Sequence, residues 1–451
     1  MTHSTADIVI CGAGMAGAAA AYHLAVRHRI NNIVLVDERP PLTLTSDKGT
    51  EAYRNWFPGP GDTMVRLMNR SIDLLEELAE ESNNYFQLNR RGYAFFTANP
   101  DLIPQWQEQA AALSALGAGP VRQHPGPMPY VPTQAEGFDR SLTGADLVAD
   151  PALIRREFPF LTQNVAALLH VRRCGWMSNT RLGGWLLERA RGSGVRVVRD
   201  KVVGVTVQGG RVESVQLGSG DSISTGAFVI AAGPYLKNVA ALLGLDIPVV
   251  NELHAKVTFK DVRGVARPDL PFMIWNDPVR LPWSDDERGK WASDPQRRWL
   301  LDEFPAGVHF RPRGDDLLML WTYDVQTQAP VWPPHFEPHY AEVVLRGLSA
   351  MVPGFSAYFG QGQAAVVDGG YYCKTRENRP LIGPLPVPGA YVIGALSGYG
   401  VMASQAAGEV LAAHLTGRPL PDYAPMFLLE RYDDPQYQAL LAQWDARSGQ
   451  L

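Results

Sequence analysis

Near its start the chain alternates between apolar and small residues in a regular way. Ile8 to Cys11 is a short, largely β-branched apolar run, the composition of a buried parallel strand. Gly12, Gly14 and Gly17 follow, and an alanine-rich stretch of high helix propensity continues to about Arg29. A second apolar run over 32–36 ends in Asp37 and Glu38. The pattern predicts strand, helix, strand. Farther on, "GVRVVRDKVVGVTVQGGRVESVQL" reads as successive short strands with a Gly-Gly turn at 209–210. In "SISTGAFVIAAGPYLKN" a strand ends at Ala231, Ala232 and Gly233. "GAYVIGALSGYGVMASQAAGEV" sends a strand into Ser397-Gly398-Tyr399-Gly400 and then into a helix. "NELHAKVTFKD" and "GVHFRPRGDDLLMLWTYD" are strand-like, and Tyr437, Leu440, Leu441 and Trp444 have the spacing of a short tail helix.

At 451 residues the chain is too long for one compact core and implies two domains, interleaved in sequence. Its 46% apolar and 19% charged residues are those of an ordinary globular protein. Forty-one basic against 46 acidic residues give −5, which recruits neither nucleic acid nor an anionic membrane. Cysteines at 11, 174 and 373 are too few and too scattered for a disulfide framework or a zinc site, so no metal is expected. They suit a reducing compartment. The first residues enter an apolar run without a basic segment and signal-type core, and no apolar run reaches the roughly 18 residues of a membrane span. The expected location is cytoplasmic.

The glycines fit a dinucleotide. Gly12 permits a tight turn, Gly14 lets a pyrophosphate approach the backbone, and Gly17 lets helix and strand pack closely. The diphosphate then sits at the positive end of the helix. Asp37, twenty residues after Gly17, can accept hydrogen bonds from a ribose and would repel a 2′-phosphate, which disfavours NADP. The plainer alternative is a glycine-rich turn in an ordinary βαβ unit. Strand, helix, strand and acid in register favour an adenine dinucleotide without choosing between NAD and FAD. The second glycine-bearing helix start, at 397–400, suits a large anionic cofactor.

In order along nearly the whole chain, "VICGAGMAG", "LVDE", "TSDKG", "DKVVGV", "VIAAGPY", "NRPLIG" and "GALSGYG" resemble the motifs of the D-amino acid oxidase superfamily of FAD proteins. That group holds glycine oxidase and monomeric sarcosine oxidase. The resemblance implies an α/β Rossmann-type FAD-binding domain over 1–75, 150–240 and 360–425. Interleaved with it would be a mostly antiparallel substrate domain over 76–149 and 241–359 that roofs the flavin, with a tail helix in 426–451. Gly12, Gly14, Met15 and Ala16 would hold the diphosphate, and Asp37 or Glu38 the ribose. Ser46, Lys48 and Gly49 would border the flavin edge, and Val202 the adenine. Ala232 and Gly233 would form the Ala-Gly turn, and Gly398, Tyr399, Gly400 and Val401 the pyrimidine side.

The departures from the family pattern bear on chemistry. In the sarcosine oxidase branch a cysteine bonds the flavin seven residues before the acid matched here by Glu377. That position is Gly370, so the resemblance implies non-covalent FAD and leaves Cys373 as packing filler. The substrate-carboxylate anchors of the two branches fall on Met402 and Tyr372, so neither is present. Remaining cations are Arg54, Lys256 and Lys48. Arg54 reads equally as a solvated surface arginine and Lys256 as a salt-bridged roof lysine. The oxygen-activating lysine of the oxidase branch falls on Met319, with Lys48 as a possible substitute. Tyr372 and Tyr399 are expected to flank the flavin, and His254 and His309 are either substrate contacts or structural.

The resulting expectation is FAD-dependent oxidation of an amine or N-substituted amino acid to an imine, with oxygen or another electron acceptor and Lys48, Arg54, Tyr372 and Lys256 as the active side chains. A hydroxy-acid or glycerol-phosphate-type dehydrogenase is one alternative. The other is a silent flavoprotein serving as an assembly or interaction factor. On any of these readings a homo-oligomer is an open expectation. Trp275, Trp283, Trp291 and Trp299 lie in a polar, proline-marked segment that reads as a lid, an interface loop or a surface insertion.

Overall fold

The computed structural model describes residues 3–57, 59–126, 128–442 and 444. Its centre is a six-stranded sheet in the order Arg196–Arg199, Ile33–Asp37, Ile8–Cys11, Phe228–Ile230, Ala390–Gly394, Leu381–Pro384. All neighbours are parallel except the last pair. Both faces are buried, as the unbroken apolar runs require. Ile8, Ile10, Ile33 and Leu35 face a helical layer, while Val9, Cys11, Val34 and Val36 face Val212, Val215 and Ile223 of a small four-stranded sheet. In the helical layer Met15–Tyr22 meets Gly400–Thr416 so closely that a Cβ on Gly408 would come within 3.1 Å of the Ala19 backbone.

The second layer is a nine-stranded, mostly antiparallel sheet. Its first six strands in spatial order are Val366–Lys374, Val250–Lys260, Asp316–Leu320, Val308–Arg313, Phe272–Trp275 and Tyr93–Thr97. Ala167–Val171, Ala145–Val148 and Val121–His124 complete it. The sequence-based division differs at two places: Ala167–Val171 and Val366–Lys374 fall within the expected nucleotide-binding segments, yet both pair in this sheet. One face packs on helix Tyr340–Leu348, with Val257, Phe310 and Met319 against Val344 and Leu348.

The tryptophan-rich segment is not an exposed lid. Trp275, Trp283, Trp291 and Trp321 are buried in the core beneath the nine-stranded sheet. The Trp283 indole donates to the Leu300 carbonyl at 2.8 Å, and the Arg346 guanidinium lies 4.0 Å over its ring. The polar residues that suggested a loop form helix Asp285–Ser293, whose Ser284 cap and Glu287 satisfy each other's backbone amides. The tail helix is Pro435–Ala442, and residues 443 and 445–451 of that element lie outside the described residues.

Candidate cofactor and substrate site

An elongated cavity of about 590 Å³ runs between the two sheets, within the range of cofactor pockets. The turn after strand Ile8–Cys11 forms its middle. Gly12 has φ +112°, and a Cβ there would meet the Ala231 carbonyl oxygen at 2.4 Å; a Cβ on Gly17 would meet the Gly12 oxygen at 1.9 Å. Only glycine allows this crossing of two strand ends. Gly14, Met15 and Ala16 line the cavity there, beside Ala232 and Gly233. The Ala13 amide donates to Asp37 Oδ2 at 2.7 Å and the Met15 amide to Ser46 Oγ at 2.9 Å.

At one end Asp37, Glu38 and Val202 form the wall. Burial raises the Asp37 carboxyl above its usual range, opposed by the amides of Ala13 and Arg39. Glu38 is exposed, 3.8 Å from Lys201. At the other end the wall passes through Ser46 and Gly49 to Tyr372, Gly398, Gly400 and Val401. The Tyr372 ring lies so near Gly398 that a Cβ on the glycine would be 2.5 Å from it. Burial pushes the Tyr372 phenol up to about 12, so its proton is retained.

A buried, unpartnered Arg39 Nε and Asn179 Oδ1 belong to residues of this wall. Together with the side-chain-free approach at Gly14 and the Asp37 carboxylate, they fit an anionic, ribose-bearing dinucleotide. Arg39 and Asn179 were not legible as site residues. Arg39 follows Asp37 by only two positions, but Asn179 reaches the site from the start of helix Asn179–Gly192, with no local signal.

Four expected members, Lys48, Tyr399, Lys256 and Arg54, stand outside the cavity wall. The Lys48 ammonium is turned toward Asp368, 2.9 Å away, and Asp47 at 3.2 Å. The Tyr399 hydroxyl donates to the Asn378 carbonyl at 2.6 Å and its ring meets Phe57 edge-on, so it supports the wall from behind. Gly370 leaves room for the Lys48 stem, whose Cβ would be 3.0 Å from a side chain there.

The cofactor-facing side of the roof holds the loop 45–51 in place. Lys256 Nζ donates to the Asp47 carbonyl at 2.9 Å. Arg311 Nε donates to the Thr50 carbonyl at 2.8 Å and its NH2 to Glu51 at 2.6 Å. Thr45 Oγ1 donates to the Tyr371 carbonyl at 2.9 Å. Lys256 is therefore buried on a backbone carbonyl rather than salt-bridged, and burial lowers its pKa. Arg54 is also buried, 4.8 Å over the Phe57 ring, which removes the reading as a solvated surface arginine. His309 is held by the Gly307 carbonyl at 2.7 Å, and burial brings it down to about 4.

Met319 is corrected by the register. It pairs with Val257 and Phe310, one residue out of phase with Lys256, and so points into the core under helix Tyr340–Leu348. Leu318 and Leu320 lie on the opposite face of that strand. Met402 is core as well. Cys373 touches the cavity, but burial pushes its thiol up to about 12, which removes the thiolate a nucleophile needs.

Among the described residues no group of His, Cys, Asp or Glu could hold a metal ion, and no helix is long and apolar enough to cross a membrane. The chain is similar over 270 residues to mitochondrial sarcosine dehydrogenase of Mus musculus, at 24% identity, covering 58% of this chain. It spans only 26% of that relative's length. Its structure is similar to L-proline dehydrogenase from P. horikoshii, with a TM-score of 0.72 at 18% identity, covering 96% of this chain and 99% of the other. Glycine oxidase from Geobacillus kaustophilus superposes with a TM-score of 0.71 at 16% identity, covering 95% and 99%. The model of the DAO family of FAD-dependent oxidoreductases matches residues 7–414, nearly the whole of both sheets and the cavity between them, and the chain belongs to that family.

Proposed function

We propose that the protein oxidises the C–H bond beside the nitrogen of an amine or N-substituted amino acid. The observation that carries this reading is the cavity itself, with a ribose-type carboxylate at one end and a roofed, tightly held loop at the other. FAD, bound without a covalent link, supplies the hydride acceptor. Asp37 accepts the ribose hydroxyls, Gly14 admits the diphosphate, and Lys256 and Arg311 fix the loop along the cofactor edge. Tyr372, protonated, forms part of the wall and offers a donor. Arg54, buried over the Phe57 ring, is the cation we assign to an anionic group of the substrate, and Lys48 acts through the loop. The substrate gives up a hydride and an N–H proton, and water hydrolyses the resulting imine. No side-chain base is required if the amine binds neutral. The relatives are named for sarcosine, L-proline and glycine, and all three carry a C–H bond next to nitrogen. The buried, unpaired cysteines suit a cytoplasmic setting.

The test is an anaerobic screen of amines, N-methyl amino acids, imino acids and hydroxy acids that follows visible flavin absorbance. Bleaching by an amine supports the proposal; bleaching by hydroxy acids alone moves the chemistry to C–O oxidation. A flavin that no compound bleaches ends the enzymatic reading.

A further inference from the structure

A second cavity, of about 210 Å³, opens where the chain after Leu320 leaves the nine-stranded sheet. Strand Val250–Lys260 pairs with Asp316–Leu320 only through 257–260, and the two chains meet again at the Glu252–Thr327 bridge and at the Gln328 amide, which donates to Asn251. Between those points the segment bows outward and leaves a pocket.

Aromatic rings form its inner wall. Trp321, Tyr323 and Tyr340 line it, with Tyr323 stacked on Tyr340 at 5.7 Å. The Tyr340 hydroxyl is engaged by the Ala255 carbonyl at 2.8 Å, but the Tyr323 hydroxyl is buried with no partner. Two carboxylates, Asp324 and Glu337, also line the pocket, and none of its lining residues is a lysine or arginine. Burial lowers the pKa of the His254 imidazole and so favours its neutral form; Glu252 lies 3.4 Å from it and is itself paired with Lys374 at 2.8 Å, while His335 in the lining and His339, 3.0 Å from Glu337, are further basic groups nearby. Two carboxylates and an unpaired hydroxyl, in a lining that holds no lysine or arginine, are chemistry that recognises an organic ammonium ion. The unpaired oxygen selects one that still carries an N–H donor.

We infer that this pocket is an accessory binding site for a protonated alkylamine, separate from the FAD cavity. It adjoins that cavity at an aromatic pair: His254, in the pocket wall, lies flat on Tyr372 with ring centroids 3.9 Å apart, and Tyr372 lines the cavity. An ammonium in the pocket therefore sits one aromatic pair away from the cofactor.

The experiment is calorimetric titration of the flavin-loaded protein with tert-butylammonium chloride. This probe has no C–H bond beside its nitrogen, so the heat cannot come from turnover. Tert-butanol is the neutral control of the same shape. The ammonium should bind saturably, and the alcohol at least about tenfold more weakly. The double variant Asp324→Asn/Glu337→Gln, with its flavin absorbance retained, should lose a similar factor, and Tyr323→Phe should weaken binding as well. Absence of saturable binding overturns the inference. So does equal binding of the alcohol, or an unchanged affinity in the double variant, which would put the probe in the FAD cavity. Because the readout is binding, it is independent of whether any amine is oxidised.

Discussion

Lys256 Nζ donates to the backbone carbonyl of Asp47 across 2.9 Å, joining the roof strand to the loop at the cofactor edge. It is buried, and burial lowers its pKa; in its protonated form it is a cation in a site with little water. Oxygen reduction begins with one-electron transfer, and a cation in such a site stabilises the superoxide that forms. Lys256→Met should slow reoxidation of the reduced enzyme in air by on the order of tenfold or more, each 1.36 kcal/mol being a factor of ten. Stopped-flow mixing with oxygenated buffer measures it. A rate equal to wild type would remove Lys256 from the oxygen half-reaction.

Asp37 offers a second test, at the far end of the cavity. Its carboxylate accepts the Ala13 and Arg39 amides and keeps lone pairs for a ribose. Asp37→Ala should weaken FAD binding by about 1–3 kcal/mol, the cost of losing charged hydrogen bonds. Equilibrium titration of the apoprotein with FAD checks this. An unchanged affinity would transfer the ribose to Glu38, which is exposed and beside Lys201.

The glycine turn and the acid beside it were legible because their signals are local. Gly12, Gly14 and Gly17 lie within six positions, and Asp37 follows at the end of the next strand; pattern and spacing suffice for such contacts. The roof was legible as strands but not as a face. Whether Met319 or Leu318 looks at the cofactor depends on a pairing register set by residues some sixty positions away, and a slip of one inverts every side chain. The tryptophans misled for a related reason. Polar neighbours in sequence suggested an exposed segment, while a capped helix carries those neighbours outward and turns the indoles into the core.

The register makes a sharp prediction at Met319. It is fully buried against Phe310 and helix Tyr340–Leu348. Met319→Lys would place an ammonium there without a partner, at a cost of about 3–5 kcal/mol. Thermal unfolding should shift well below wild type, with no faster reoxidation in air. A variant of normal stability that reacts faster with oxygen would mean that position 319 faces the cofactor after all.

The buried histidines set a pH limit on stability. His23 and His309 are each brought from 6.5 to about 4, chiefly by burial. Their folded pKa values lie below the unfolded ones, so the unfolded chain binds protons that the folded chain refuses. Stability from these sites is fully present above about pH 6.5 and is lost as pH falls toward 4. With 1.36 kcal/mol per pKa unit, each histidine accounts for about 3 kcal/mol across that window. Urea unfolding of the holoprotein at pH 7, 6, 5 and 4 should therefore show a steep decline, and His309→Gln should flatten it by roughly one histidine's share, whatever it costs at pH 7. An identical slope in the variant would show that His309 titrates normally in the folded protein.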